Sequence, residues 1–459
     1  MPRILVFWLR SRPRFEYQTP SAMAYAQKLA LATAVFVCGG MWIYVDRVLI
    51  AHQEAEARLR GTPRGNLSDL YPSWLASREL LLNHRDPYTP EITREIQTGY
   101  YGRPIEPARP NDPTNQQAFA YPVYVAFLLA PSVKLPFSEV QVLFRWLLAG
   151  LTALSVILWL GVIGLRLSWV LPTVVVLLVF GTFPVVQGIK LQQLSLLVAA
   201  LIAGCVFSLV RGWHVPAGIL LALAMIKPQL TVLLAAWLIL WALSRLYLRC
   251  KFVAAFVLTL AALVGAGEVL LPGWIHEFYV AVLNYRKYAV SLSLLGELTP
   301  PTLGVLLTVA ALILVAIICW NARNVQALDR EFCWTTSLVL AVTVVVIPTI
   351  APYNQPLLVP GALLVSVSWM GEHWSELLRT NLFTRIFRGV AAVCLLWHWI
   401  SAAVLAAASF FSSRAQEFWR LPLWASILTP VALTVCLGLM IVLPSSPPGR
   451  LPRSESSDL

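Results

Sequence analysis

"FAYPVYVAFLLAPSVKLPF", residues 119–137, is the stretch on which the reading of the whole chain turns. It is apolar but short, it carries Pro122 and Pro131, and Lys134 interrupts it. Crossing a hydrocarbon core of ~30 Å takes about 20 predominantly apolar residues, and each proline removes a helix hydrogen bond. The stretch therefore reads as a segment that dips into a membrane without crossing it. Counted that way, the chain has twelve crossings: one at 24–45, then runs near 138–164, 169–187, 194–211, 214–227, 229–246, 252–271, 303–321, 332–350, 355–371, 389–409 and 422–444. Alternation places Arg166, Arg211, Arg245 with Arg249 and Lys251, Arg323 with Arg330, and Arg379 with Arg385 and Arg388 on the side of the N-terminus. That terminus is itself basic, with Arg3, Arg10, Arg12, Arg14 and Lys28, as the positive-inside rule requires of a cytoplasmic end. A full crossing by 119–137 would put most of these clusters outside.

Composition sets the same class. Of 459 residues, 58% are hydrophobic and only 12% charged, with a mean hydropathy of +0.73. That is far more apolar sequence than a soluble core needs. The net charge of +12 is scattered in short clusters between apolar runs rather than gathered in one stripe, which argues against a nucleic-acid partner. The expected fold is an all-α polytopic transmembrane helical bundle of about 12 spans with a large first external loop carrying interfacial helices. Its regions are a basic cytoplasmic N-terminus (1–23), a first transmembrane helix (24–45), an external loop (46–137), the helical bundle (138–444) and a disordered cytoplasmic tail (445–459). No cleavage site follows 24–45, so that run stays as an anchor.

The seven cysteines form no CxxC pair and the six histidines no HExxH, so no metal site is expected. The chain also lacks a Walker motif, a glycine-rich dinucleotide turn and an Asp-x-Asp pair. Chemistry without those devices needs an already activated substrate. On an outer membrane face, where nucleotides are scarce, a sugar on a lipid phosphate is the natural candidate.

The residues able to act on one gather on the outer side of the twelve-span topology. In "SDLYPSWLASRELLLN" (68–83), a helix would stack Leu70, Trp74 and Leu81 in one stripe, with Leu75 and Leu82 beside it and Glu79 turned away. Such a helix suits the membrane interface. Asp69 stands at its start, where either Ser68 or Asp69 would cap it; on sequence chemistry alone the cap is the favoured role. Asp86, before Pro87, reads as an Asx turn closing the helix. Lys227 interrupts "LALAMIKPQLTVLL" just before Pro228, and is either a cation for a lipid phosphate or a lysine snorkelling from a helix end. Lys190 with Gln192 and Gln193 could line the same cavity or form a polar connector. Glu268 could bind an acceptor hydroxyl or serve structure alone. Arg286 and Lys287, between tyrosines, suit phosphate contact or interfacial anchoring. Tyr353 and Asn354 lie on the face that would touch a sugar.

In this order, "SDLYPSWLASRELLLNHRDPYTP", "FAYPVYVAFLLAP", "GIKLQQLSLL", "AGILLALAMIKPQLTVLL" and "PYNQP" resemble glycosyltransferase family 87, membrane mannosyltransferases of the glycosyltransferase-C superfamily that use polyprenyl-phosphate-mannose. The likeness runs from about residue 20 to 370. It implies that Asp69, matching the acidic residue of the first external loop, is the general base. Asp86 and Tyr88 match a loop-shaping "DPY" signature, and Lys227 matches an intramembrane lysine that meets the donor phosphate, helped by Lys190 or Arg286. Gln193, Glu268, Tyr353 and Asn354 remain candidates for shaping the loop or binding substrate. Two departures bear on the sugars rather than the reaction: "LQQ" stands where a Gly-Gln pair is usual, and "PYNQP" lacks a histidine often found there. The implied partners are membrane lipid, a polyprenyl-phosphate-linked sugar and a glycan or glycolipid acceptor, with no cofactor or metal, in a bacterial inner (plasma) membrane. A transporter or flippase of lipid-linked sugars, or an O-antigen ligase or polymerase, is the alternative; the long acidic outer loop speaks against transport.

Overall fold

Backbone groups in lipid find no water, so apolar runs of this length close their hydrogen bonds within the segment and fold as helices. The computed structural model describes residues 20–62, 68–106, 108–109, 111–165, 169–288, 293–348, 351–371 and 382–442, and among these there is no strand. The basic residues before position 20, Arg166, Arg379 and the 445–459 tail lie outside the described residues. In chain order the helices are α1 (Pro20–Tyr44), α2 (Ala51–Arg60), α3 (Tyr71–Asn83), α4 (Pro90–Tyr101), α5 (Val125–Leu129), α6 (Phe137–Ile163), α7 (Val170–Phe180), α8 (Phe183–Lys190), α9 (Leu194–Val210), α10 (His214–Ala224) and α11 (Pro228–Leu243). They continue as α12 (Leu246–Leu270), α13 (Trp274–Tyr288), α14 (Leu294–Leu298), α15 (Pro301–Ala322), α16 (Arg330–Val346), α17 (Val359–Gly371), α18 (Leu382–Ala408) and α19 (Leu423–Val442).

Six helical stretches among the described residues are long and apolar enough to cross a membrane, or seven if the pair α7–α8, bent by 70°, counts as one broken span. The apolar runs at 194–211, 214–227 and 229–246 fold as the shorter helices α9, α10 and α11, of 17, 11 and 16 residues. Residues 119–137 yield only α5, five residues, and a three-residue 3-10 turn at Ala130–Ser132. At ~1.5 Å per residue α5 is about 8 Å long, far too short to span.

Two local outcomes depart from the sequence reading. The segment after residue 45 continues as helix, through a π-helical turn at Val45–Ile50 and then α2, up to Gly61 at φ 62°. Its charges pair one turn apart, Arg58 with Glu54 and Arg60 with Glu56, which extends a helix into sequence too polar for lipid. In α3, Glu79 is not turned away but buried, because Asn83 and Arg85 both donate to its carboxylate, while Leu82 is exposed. The helix lies under a cover. Leu70 and Trp74 pack with Ile92 and Ile96 of α4, Phe119 and Leu194.

The largest core cluster draws on α9, α10, α11 and α16 among others, while α12 and α15 turn much of their apolar surface outward. Gly218 sets the distance between α10 and α12: a Cβ there would lie 2.5 Å from Phe252 O and 2.7 Å from Phe256 N, both rigid backbone. Small residues allow such close helix contact in membranes. Gly218→Ala is expected to lower stability by about 1–3 kcal/mol through overpacking, read as thermal unfolding in detergent; an unchanged midpoint would show that the two helices separate freely.

Below α11 a single guanidinium fastens two helix ends. Arg249, buried, donates to Trp241 O, to Ser244 Oγ (3.2 Å), to Arg323 O (3.3 Å) and to Val325 O (2.8 Å), and lies 3.6 Å over the Trp241 ring. These carbonyls lie at or just beyond the C-termini of α11 and α15, where orphan acceptors and the negative dipole end favour a cation. Arg249→Ala is expected to destabilise by about 2–3 kcal/mol, the worth of a charged hydrogen-bonding group removed from buried and half-buried acceptors, read as thermal unfolding in detergent. Arg249→Lys should recover only part of that, since lysine lacks the planar fork.

Candidate active site

The site is organised by the turn between α8 and α9. Thr182 and Pro184 start α8 with a fresh helix axis after the bend. The helix ends at Lys190, Gln192 takes the left-handed conformation at φ 50°, and Gln193 is extended ahead of α9. Glycine adopts that φ without strain and glutamine does not. The Gln192 side chain offsets the strain by donating to Ile189 O (2.9 Å) and Lys190 O (2.5 Å) at the end of α8. Its Oε1 accepts from Ser68 Oγ at 2.7 Å, and the Asp69 N–H donates to Leu191 O at 2.9 Å. The loop before α3 is thus pinned to the α8–α9 turn.

The cap expected of Ser68 or Asp69 is therefore absent. Leu70 is the N-cap of α3 and no side chain caps it. Both side chains are committed elsewhere, and the Asp69 carboxylate accepts from Gln193 Nε2. At its other end the same amide, through Oε1, accepts from Lys227 Nζ at 2.8 Å. Lys227 also donates to Ser195 Oγ (2.9 Å), which donates to Asn354 Oδ1 (2.7 Å). One chain of hydrogen bonds runs through Asp69, Gln193, Lys227, Ser195 and Asn354, from four separate stretches of sequence. Lys227, Gln193, Ser195 and Asn354 are buried, whereas Asp69 keeps partial access. Burial raises the Asp69 carboxyl above its ordinary range; the Gln193 bond and the Lys227 charge pull it down without cancelling that.

Tyrosines form the walls. Lys227 Nζ lies 5.6 Å from the ring centroids of both Tyr121 and Tyr353, which are partly accessible. Tyr121, Tyr353 and, from α13, Tyr285 have phenols held above their usual range, by burial first and by the Asp69 charge second. The Asp69 charge thus reaches tyrosines from three separate stretches of sequence. Tyr121 is braced from outside: Asp86 Oδ1 accepts from Tyr88 N at 2.9 Å, an Asx turn, and the Tyr88 hydroxyl donates to Tyr121 O at 2.7 Å.

Not every candidate joins this cluster. Lys190 is paired with Asp46 of the π-helical turn and lies 5.3 Å over Trp42. Glu268 is exposed and accepts from Gly273 N at 2.7 Å, closing the turn after α12. Arg286 is exposed on α13, and on that helix the Asp69 charge acts on its neighbour Tyr285. Among the described residues no three His, Cys, Asp or Glu side chains gather as a metal set would. Sequence reasoning missed Ser195 and Tyr121. The available signal was a lone hydroxyl two residues after Gln193 in "QQLSLL" and an aromatic flanking Pro122.

A helical membrane protein in which one buried amide joins a carboxyl group to an ammonium group is the class that fold and site define. Residues 119–348, half of the chain, match the family model of glycosyltransferase family 87, and the protein belongs to that family: it is a membrane glycosyltransferase. No curated protein and no solved structure matches it. The match takes in Gln193, Ser195 and Lys227, while Asp69 precedes it and Asn354 follows it. Geometry joins those two to the rest.

Proposed function

We propose that the protein transfers a sugar, mannose, from a polyprenyl phosphate to a hydroxyl of a lipid-linked or surface glycan by a single inverting displacement. The observation that carries this reading is the Gln193 amide, which holds Asp69 at one end and Lys227 at the other. Asp69 takes the proton of the acceptor hydroxyl as its oxygen attacks the anomeric carbon. The bond from that carbon to the phosphate oxygen breaks on the opposite face, and its electron pair leaves with the polyprenyl phosphate. Lysine has three donors; Gln193 and Ser195 take two of those on Lys227, and the third meets the departing phosphate. The Tyr121 and Tyr353 rings offer flat apolar faces to the sugar. Lysine charge serves the phosphate, so the reaction proceeds without a metal.

In the twelve-span topology, with both termini cytoplasmic in a bacterial inner membrane, this site faces the periplasm. Helices α9 and α10 lead to it from the basic side, and at ~1.5 Å per residue their 17 and 11 residues reach about 25 and 16 Å. Both fall short of a ~30 Å core, which supports a site sunk below the outer surface, at the depth of a lipid phosphate. Purified protein in nanodiscs, given polyprenyl-phosphate-mannose and a panel of acceptors, should form product with inverted anomeric configuration by NMR. Retained configuration, or transfer from a nucleotide sugar alone, would overturn the reading.

A further inference from the structure

Gln355 lies one residue beyond Asn354, in the 3-10 segment Pro352–Leu358, and the chemistry above leaves it unused. Its side chain answers a need created in another helix. α19 carries Pro430 in its interior. Proline has no N–H, so the carbonyl four residues earlier, Ser426 O, loses the bond that would continue the helix. Ser426 and Gln355 are 6% and 9% exposed, and a buried carbonyl needs a donor. Gln355 Nε2 donates to Ser426 O.

The 3-10 segment is poorly equipped to hold itself: such turns have weak hydrogen-bond geometry, and Pro356 sits inside this one. Yet it presents Tyr353 beside Lys227 and Asn354 to Ser195. We infer that Gln355 is a positioning residue of the transfer site: by supplying the donor that Pro430 withholds from Ser426, it fixes the segment so that Asn354 and Tyr353 keep Lys227 and Ser195 in place. Both ends of this peg lie outside residues 119–348. The inference rests on the assignment of Lys227 to the donor phosphate.

The full chain in nanodiscs tests it as four proteins: wild type, Gln355→Ala, Pro430→Ala and the double variant. Pro430→Ala returns a backbone N–H to Ser426 O, and a carbonyl with two lone pairs can accept from both donors, so that variant alone should retain transfer. Gln355→Ala should lower thermal stability and reduce kcat by about tenfold or more, the order expected of a small misplacement at a reacting centre. In the double variant the carbonyl is satisfied within α19, so stability should return while kcat stays low and KM for the donor changes little. Recovery of kcat together with stability would make Gln355 a structural residue only. Hydrogen exchange over 352–358, read without substrate, should quicken in both variants lacking Gln355; unchanged exchange overturns the peg whatever the activity. If wild type transfers nothing, the proposed reaction fails, and the exchange measurement still judges the peg.

Discussion

Asp69→Asn loses transfer by a factor of about 10²–10⁴, the usual worth of a positioned general base, while the protein stays folded. Asparagine keeps an oxygen for Gln193 Nε2, so the loop remains tied to the α8–α9 turn. The sign of the pKa shift bears on stability as well. A carboxyl raised by burial contributes stability that is fully present below its unfolded value, about 3.9, and lost as pH rises through its higher folded value. Above that folded value the ionised group is therefore not a stabiliser of the fold, and an uncharged isostere should melt within a few degrees of wild type. The same shift governs rate: transfer should rise with pH through a value above the ordinary carboxylate range, and this acid limb should vanish in Asp69→Asn. Residual transfer with an unchanged limb would move the base to another group.

Which parts of this were legible beforehand follows from what a sequence encodes locally. Lys227 stood out because a charge in an apolar run is costly wherever it sits. Asp69 did not, because an acid ahead of an amphipathic run has a good local use as a cap; only the non-local approach of "LQQ" diverts it. Ser195 was hidden for the converse reason, as a small hydroxyl in an apolar helix usually bonds its own backbone, as Ser77 and Thr152 do here. Hydropathy measures apolar runs rather than helices, so the run at 214–227 concealed an 11-residue helix and a turn. Pro228, which starts α11, was the visible mark of that break.

Lys227→Met should separate the two roles that the Gln193 amide joins. The Lys227 charge lowers the Asp69 pKa against the larger effect of burial, so its removal leaves the carboxyl raised still further and shifts the acid limb of the pH–rate profile to higher pH. At any pH within that limb fewer molecules then hold an ionised base. Raising the pH until Asp69 ionises should recover that part of the loss. What remains is the missing donor at the leaving phosphate, about 10²–10³ in kcat by analogy with other preorganised donors to developing charge. The variant should fold with lowered thermal stability: Gln193 and Ser195 are left short by about 1–3 kcal/mol each, and the removal of a buried cation offsets part of that. A limb that stays where wild type has it would mean that Lys227 and Asp69 do not sense one another. The amide between them would then be a packing contact, and the lysine would act on the donor alone.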